Sequence, residues 1–381
     1  MTPPLSVLDL SPVPAGGTTG DGLRDSIDLA QVAERAGYAR YWVAEHHLNP
    51  GVASSSTPVL VALIAAATER IRVGSGAVQM PNTPPLSVAE QFGTVGAVHP
   101  GRVDVGLGRF DLHRLLRLVE NGGVLPGAAS GPDAPAPESR VVDGLLIPSP
   151  GRFTGDLSLF GTFARLLGFS PEDTPPDYRA QVLEVLSYFD GSSRRPDGRP
   201  LEVSPAAGAD VEVFVLGSTP GTSAQVAAEM GLPFAASYHT APHSVLDTVA
   251  AYRAAFRPGR RERPYVIVSA DVVVAEDDER AAELAAPYGQ WVLDIRSGRE
   301  AHPYVTPAEA RAREWTAEER VAVADRVETQ IVGGPVTVVE KLATLARVTG
   351  ADELLVTTIC TEHADRVRSY ELLAKEWGAQ S

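Results

Sequence analysis

The sequence predicts a (β/α)8 barrel, in which eight parallel strands form a closed ring and helices surround it. Short apolar runs alternate with helical segments along most of the 381-residue chain, an order typical of a parallel sheet. Eight such strands occur, four before and four after a long segment rich in Pro and Gly. Because no linker separates two cores, we expect residues 1–381 to form a single domain. A doubly wound open sheet is the alternative.

The first half of the chain supplies four strands and three helices. The predicted strands are Leu5–Leu10, Arg40–Ala44, Ile71–Val78 and Val103–Leu107. Apolar residues at helical spacing predict the helices Leu23–Ala36, Pro58–Thr68 and Leu86–Val98. Gly37 follows the first helix directly, at the position that glycine favours after a helix C-terminus.

The second half repeats the pattern. Its predicted strands are Val211–Leu216, Pro233–Ser237, Tyr265–Val274 and Glu353–Ile359. Its predicted helices are Thr222–Met230, Ser244–Phe256, Asp277–Tyr288, Val336–Val348 and Ala364–Trp377. Gly231 and Gly350 mark the ends of two of these helices.

Two segments interrupt the alternation. The insertion after strand four covers about 110–205, is rich in Pro and Gly, and contains the predicted helices Leu157–Leu167 and Tyr178–Phe189. A long segment of this kind is usually a functional loop, and we expect it to shape the mouth of the substrate site. A second irregular stretch, Ile295–Thr329, follows strand seven.

Composition limits the classes of partner. The net charge is −15 and no block rich in Lys and Arg occurs, so we expect neither nucleic acid nor an anionic membrane as a partner. Cys360 is the one cysteine, and it cannot form an intrachain disulfide or a cysteine metal site. The N-terminus resembles no signal peptide, and the longest apolar run, Val59–Ala67, is too short to span a bilayer. We therefore expect a cytoplasmic protein.

The strongest candidate for chemistry is Glu45-His46-His47, which directly follows the second strand. Catalytic groups of such barrels lie at the C-terminal ends of the strands. Adjacent side chains on an extended segment point to opposite faces, so the two histidines are poorly placed to share one metal, and we predict no metal site. One of them faces the barrel axis. A polar loop with partly buried imidazoles is the alternative.

Glycine-rich strand ends and one hydroxyl-rich loop are candidates for ligand binding. The strand ends Val73–Val78 and Val105–Arg109 lack the full dinucleotide-binding pattern, but a flat ligand can approach glycine backbone closely. Arg109 adds a permanent cation, unless it is a solvated loop residue. In Gly217–Ser223, four hydroxyls near a helix N-terminus could bind phosphate: Ser218, Thr219, Thr222 and Ser223. Simple N-capping by Thr222 or Ser223 is the alternative.

Five separated segments together resemble the bacterial luciferase-like monooxygenase family. They are Trp42–His47, Arg72–Pro81, Gly101–Arg109, Val215–Ser237 and Gly333–Leu373. The resemblance implies a (β/α)8 barrel enzyme that uses reduced FMN and O2. Such an enzyme forms a C4a-peroxyflavin and hydroxylates or epoxidises a small organic substrate. The flavin supplies the chemistry, while the protein binds it and orients the substrate.

The resemblance also implies roles for individual residues. His46 matches a catalytic histidine near the flavin, flanked by Glu45 and His47. Gly76 and Ala77 stand where family members often have a non-proline cis peptide beneath the flavin ring. Arg109 matches a phosphate-binding arginine. The hydroxyls of Ser218, Thr219, Thr222 and Ser223 match a phosphate loop, and Tyr238 matches a residue near the ring edge.

The resemblance further implies a separate NAD(P)H:flavin reductase and a homodimer formed through the first helices. By analogy we expect an aromatic polyketide or other secondary metabolite as substrate, which would place the enzyme in antibiotic biosynthesis. Two alternatives stay open: an F420-dependent hydride-transfer oxidoreductase and a non-catalytic flavin-binding protein. Gly108 and the segment Phe110–His113 depart from the family, since Gly108 stands where one luciferase subunit has a reactive cysteine.

Overall fold

Eight parallel strands, each mostly apolar and buried, close into a barrel. This computed structural model describes residues 2–110, 112–120, 138–151, 153, 155, 157–299 and 301–379. The barrel strands, numbered β1 to β8 in chain order, are Leu5–Asp9, Arg40–Val43, Arg72–Ser75, Val103–Gly108, Val211–Gly217, Phe234–Ser237, Val266–Val274 and Glu353–Thr357. Each strand pairs with its neighbour in sequence, and β8 pairs with both β7 and β1. The predicted closed (β/α)8 barrel is therefore confirmed, and the open sheet is excluded.

Helices cover the outside of the barrel. Those that follow the eight strands are Thr19–Ala36, Thr57–Ala67, Pro85–Val98, Tyr178–Phe189, Thr222–Glu229, Val245–Ala255, Pro335–Thr349 and His363–Gly378. A single apolar layer lies between the strands and these helices. At the N-terminal end of the barrel, Arg40 binds Asp104, Glu212 and Glu353 at 2.8–3.2 Å. These ion pairs close the end of the barrel opposite to the catalytic end.

The insertion after β4 contains more regular structure than the sequence predicts. The two predicted helices occur, as Ser158–Leu166 and Tyr178–Phe189, and a further helix, Leu112–Glu120, precedes them. The insertion also forms an antiparallel hairpin of Arg140–Val142 and Leu145–Ile147. The Pro-rich residues 121–137 of the insertion lie outside the described residues.

The stretch after β7 also departs from the prediction of irregular structure. It contains the helices Pro307–Ala312 and Ala317–Val327, each begun by a capping box, Thr306 with Glu309 and Thr316 with Glu319. The predicted helix Asp277–Tyr288 is instead two helices, Asp278–Ala285 and Tyr288–Arg296, separated at Pro287. A short strand, Ile331–Gly333, extends the sheet beside β7.

The predicted strand Ile71–Val78 is divided. β3 ends at Ser75, the peptide bond between Gly76 and Ala77 is cis, and a two-residue strand, Val78–Gln79, then pairs with β4. A 3-10 turn, Met80–Asn82, follows, and another, Pro242–Ser244, follows β6. Within the described residues, no helix is both long and apolar enough to cross a membrane.

Candidate active site

A cavity of about 460 Å³ opens at the C-terminal ends of the strands. Its size lies within the range of about 300–1,000 Å³ that is usual for small-molecule and cofactor sites. Residues from the ends of seven strands or from the segments after them form its wall, among them Leu10, His46, Ala77, Arg109, Ser218, His239 and Asp271. The cavity thus lies where barrel enzymes place their chemistry.

His46 lines this cavity immediately after β2. Its backbone N–H donates to the carbonyl of Ser54 at 2.9 Å, which fixes the chain at this point. Its Nδ1 is buried and forms no hydrogen bond with any part of the chain that the structure describes. Burial, and secondarily the neighbouring His47, lowers the pKa of His46 to about 4. His46 is therefore a neutral imidazole at neutral pH, with one nitrogen available to a ligand.

Glu45 and His47 form a pair beside His46. Glu45 Oε1 lies 3.0 Å from His47 Nε2, and the backbone N–H of Gln79 donates to Glu45 Oε2 at 3.4 Å. The Gln79 side-chain amide donates to the Glu45 carbonyl at 3.0 Å, so the segment after β2 is tied to the segment after β3. The His47 ring stacks on Phe163 of the insertion with ring centroids 4.8 Å apart. His47 therefore points away from the cavity that His46 lines.

Glycines make one side of the cavity flat. A Cβ on Gly76 would lie 2.8 Å from Leu8 Cδ1, and a Cβ on Gly108 would lie 3.0 Å from the Ala77 Cβ. A Cβ on Gly217 would lie 2.9 Å from the Ser223 Cβ. All three glycines line the cavity, so its wall is backbone that a planar ligand can approach closely. The cis bond between Gly76 and Ala77 lies in this wall, as the resemblance implies.

Arg109 supplies positive charge at the end of β4. It lines the cavity, and it forms no ion pair with any acidic residue among those the structure describes. The Tyr178 hydroxyl donates to the Leu107 carbonyl at 3.0 Å. Burial raises the pKa of Tyr178, and the nearby positive charge of Arg109 opposes that rise. A guanidinium without an internal counter-ion is suited to bind an anionic group of a ligand.

Only part of the predicted phosphate loop reaches the cavity. Ser218 lines it together with Gly217, and the Ser218 carbonyl accepts a hydrogen bond from Ser244 at 2.6 Å. Thr219 and Thr222 are exposed outside the lining, and Ser223 is buried behind Gly217. Of the four predicted phosphate-binding hydroxyl residues, Ser218 therefore lines the same cavity as Arg109, and the other three do not line it.

His239, rather than Tyr238, faces the cavity after β6. The Tyr238 hydroxyl donates to the Leu146 carbonyl at 2.8 Å, in the hairpin of the insertion, and Tyr238 is not among the residues that line the cavity. Tyr238 and His239 lie in the turn that follows β6, and His239 lines the cavity from there. His239 Nδ1 lies 2.6 Å from Ser269 Oγ and 3.2 Å from Ser237 Oγ.

The environment of His239 also keeps it neutral. Burial lowers its pKa to about 4, and the nearby Arg326 and His46 act in the same direction against Asp271. His239, like His46, is a histidine just past a strand end, and this position in the sequence could have indicated it. The resemblance to the family selected its neighbour Tyr238 instead.

A buried polar cluster forms the far wall of the cavity. Arg326 Nη2 donates to Asp271 Oδ2 at 3.1 Å and to the Tyr288 hydroxyl at 2.7 Å. The Tyr288 hydroxyl also donates to Asp271. Asp271 and Arg326 both line the cavity, and the pKa of Arg326 is raised by Tyr288 and Asp271 despite its burial. Sequence reasoning misses Arg326 because its helix lies in the stretch predicted to be irregular.

A second cavity of about 290 Å³ adjoins the first, and Glu45, His46, Asn49, Gln79, Phe110 and Ile295 line both. His47 and aromatic residues of the insertion line only the second cavity. No group of three or more potential metal ligands occurs among the described residues, which gives no support to a metal centre here.

The family model for luciferase-like monooxygenases matches residues 4–112 and 176–353. The chain therefore belongs to the luciferase-like monooxygenase family. The match omits residues 113–175, which carry most of the insertion.

Relatives of similar length support this assignment. The chain is 33% identical over 368 residues to a luciferase-like monooxygenase of Escherichia coli, covering 96% of this chain and 95% of that protein. It is 37% identical to the uncharacterised protein YvbT of Bacillus subtilis, covering 98% of this chain and 96% of that one. An N-acetyl-S-alkylcysteine monooxygenase of Bacillus subtilis is 46% identical over 105 residues, which cover 28% of this chain and 31% of that one.

Solved structures share the fold. Apo-MsnO8 superposes with a TM-score of 0.75 at 30% identity, covering 99% of this chain and 98% of its own. The oxygenating constituent of 3,6-diketocamphane monooxygenase of Pseudomonas putida, solved with FMN, superposes with a TM-score of 0.58 at 17% identity, covering 100% and 99%. An F420-dependent secondary alcohol dehydrogenase gives 0.59 at 13% identity, covering 99% of each chain. The last two likenesses concern the fold alone.

Proposed function

We propose that this protein is a flavin-dependent monooxygenase that binds reduced FMN in the 460 Å³ cavity and oxygenates a small organic substrate. One observation carries the proposal: the buried, unpartnered Nδ1 of His46 lies in the same cavity as a flat glycine wall and Arg109. A planar ring system with an anionic tail matches these features.

The residues present fit FMN. Gly76, Ala77 and Gly108 line the cavity and give a backbone surface against which the isoalloxazine ring can lie. Arg109 and Ser218 would hold the phosphate, as a cation and a hydroxyl at strand ends. When bound, the reduced flavin supplies the electrons that activate O2.

The protein's own residues control protons and water around that group. His46 stays neutral at neutral pH, so its nitrogen can accept a hydrogen bond or donate one from N–H, according to its tautomer. His239, held by Ser269 at 2.6 Å, is neutral too and lines the same cavity. The apolar walls from Leu8, Leu216 and Leu355 exclude water from the reacting face. We propose His46 as the catalytic residue.

The remaining parts of the function are extrapolations from the family. We propose that a separate NAD(P)H:flavin reductase supplies reduced FMN, that the chain forms a homodimer, and that it acts in the cytoplasm. A secondary metabolite, such as an aromatic polyketide, is the proposed substrate class. These proposals are supported by the family assignment and by relatives named as monooxygenases.

The first experiment measures oxygen transfer directly. The protein is supplied with FMN, NADH, a flavin reductase and ¹⁸O2, and products from a substrate panel are analysed by mass spectrometry. We expect a product that gains one ¹⁸O atom, and a loss of at least about a hundredfold in His46→Ala, the scale of a general acid–base contribution. FMN affinity should change little.

The matched control is His99→Ala. His99 follows the helix Pro85–Val98 at the N-terminal end of β4, away from the cavity, and should leave oxygen transfer intact. Full activity of His46→Ala would remove the proposed role of His46. Substrate oxidation that needs reduced F420 and incorporates no ¹⁸O would instead establish the hydride-transfer alternative.

A further inference from the structure

The second cavity, of about 290 Å³, has a lining that indicates what it binds. We infer that it takes a compact, uncharged, apolar group of the substrate, a single or fused aromatic ring, and holds it beside His46. This inference rests on the proposed function for the reaction itself, but the binding it predicts can be measured without turnover.

Four phenylalanines form one part of the cavity's wall. Phe110, Phe153, Phe160 and Phe163 line it, together with Leu159. The Phe110 and Phe160 rings have centroids 5.7 Å apart, and those of Phe153 and Phe160 are 6.2 Å apart, both tilted. Tilted rings present edges and faces to the enclosed space, which is the geometry that favours another aromatic ring.

These residues lie outside the segments that the family model matches. Phe153, Leu159, Phe160 and Phe163 fall within 113–175, between the two matched segments. The helix Ser158–Leu166 packs on the helix Leu112–Glu120 through a small apolar cluster of its own. The insertion therefore has a folded core that can position the ring-lined wall.

Backbone contact joins the insertion to the region after β7 next to the cavity. The Gly155 N–H donates to the Arg296 carbonyl at 2.9 Å, where the helix Tyr288–Arg296 ends. A Cβ on Gly155 would lie 2.2 Å from the backbone nitrogen of Gly298, which lines the cavity, so no side chain fits between the two segments at this point. The cavity volume of about 290 Å³ suits a compact group.

The carboxylate of Glu45 in the cavity wall is already hydrogen-bonded. Glu45 is next to His47 at 3.0 Å and accepts from the Gln79 backbone, so neither carboxylate oxygen is left without a protein partner. Among the described lining residues there is no Lys or Arg to receive an anion. A cation would lose its hydration and find only Phe rings and a carboxylate that already has partners. An uncharged group can enter without burying a charge that lacks a counter-ion.

The position of this cavity connects it to the reaction. His46, Gln79 and Phe110 line both cavities, so a ring seated against the Phe residues borders the proposed flavin site. The ring would therefore reach His46 without passing Arg109 and Ser218, which line only the first cavity.

The test uses the full-length protein and three probes that share one ring and differ in charge: benzyl alcohol, benzoate and benzylammonium. Calorimetric titration should show the tightest binding for benzyl alcohol. Phe160→Ala should weaken it about tenfold, the scale of a lost ring contact. Phe160→Trp should instead fill the cavity, so that 2-naphthylmethanol loses more affinity than benzyl alcohol.

Phe169→Ala is the matched control, because Phe169 stacks on His113 at 4.3 Å in the same segment and lines neither cavity. Tighter binding of benzoate or benzylammonium, no binding of benzyl alcohol, or equal losses in Phe160→Ala and Phe169→Ala would each overturn the inference. FMN affinity is measured in the same preparations. If benzyl alcohol binds as expected but FMN does not bind, the proposed function would be refuted and the inference about the second cavity would stand.

Discussion

Two neutral histidines line the same cavity, and both are neutral for the same reason. Burial lowers the pKa of His46 and of His239 to about 4, against an ordinary value near 6.5. Each residue lies just past a strand end, where the protein excludes water but supplies no carboxylate hydrogen-bonded to the ring. We therefore expect that neither histidine carries a charge at neutral pH.

The lowered pKa values of His46 and His239 predict a pH dependence of the free energy of unfolding. Between about pH 6.5 and 4 the unfolded chain binds protons at these histidines and the folded chain does not, so the free energy of unfolding falls as pH falls through that window. Each histidine contributes at most about 1.4 kcal/mol per pH unit. Urea unfolding of the flavin-free protein should show this slope, and His46→Gln with His239→Gln should flatten it.

The exposed His302 provides the control, because His302→Gln should leave the slope unchanged. A slope that is equally steep in the double variant would show that other groups, and not these two histidines, control acid stability.

Part of the site is visible in the sequence and part is not. His46, Arg109 and Ser218 each follow a predicted strand, so the barrel fold alone places them at one mouth. His239 also follows a strand, but choosing it over Tyr238 requires the direction of each side chain. Arg326 is 55 positions from Asp271, and nothing local to either residue indicates their contact.

At the scale of elements, the helix Ala317–Val327 is the main departure from the prediction. Its capping box, Thr316 with Glu319, is readable in the sequence, but the helix lies within the stretch predicted to be irregular. Arg326 near the end of this helix binds Asp271 on β7 and Tyr288 on another helix. This contact fastens the region after β7 to the barrel beside the cavity.

Removing this contact should be costly. Arg326→Ala leaves Asp271 buried without its cation, and we expect a loss of about 3–5 kcal/mol in the free energy of unfolding. Arg24→Ala, which removes a largely exposed ion pair with Asp21, should cost less than about 1 kcal/mol. Urea denaturation compares the two. Equal small losses would mean that the buried cluster does not hold the helix.

At the scale of the whole molecule, the exposed apolar surface bears on assembly. Val59 and Leu63 are 60% and 49% exposed, and their spacing of four residues places them on one face of the helix Thr57–Ala67. Such a face is often covered by another protein. The exposed Val59 and Leu63 therefore support the prediction of a homodimer formed through the first helices.

Light scattering tests this prediction. The wild-type chain should have the mass of a dimer. Val59→Glu with Leu63→Glu should convert it to a monomer, because the dimer interface would have to bury two unpaired charges. Val321→Glu, at a 75% exposed site on another helix, is the control and should remain dimeric. A monomeric wild type would contradict the prediction.

The central claim, that this cavity holds reduced FMN, is tested most directly by anaerobic titration with reduced FMN and reduced F420 in parallel. We expect FMN to bind and F420 to bind more weakly, with Arg109→Gln weakening FMN by about tenfold to a hundredfold through loss of a charged hydrogen bond. Tighter binding of F420, or FMN affinity that is unchanged in Arg109→Gln, would contradict the account.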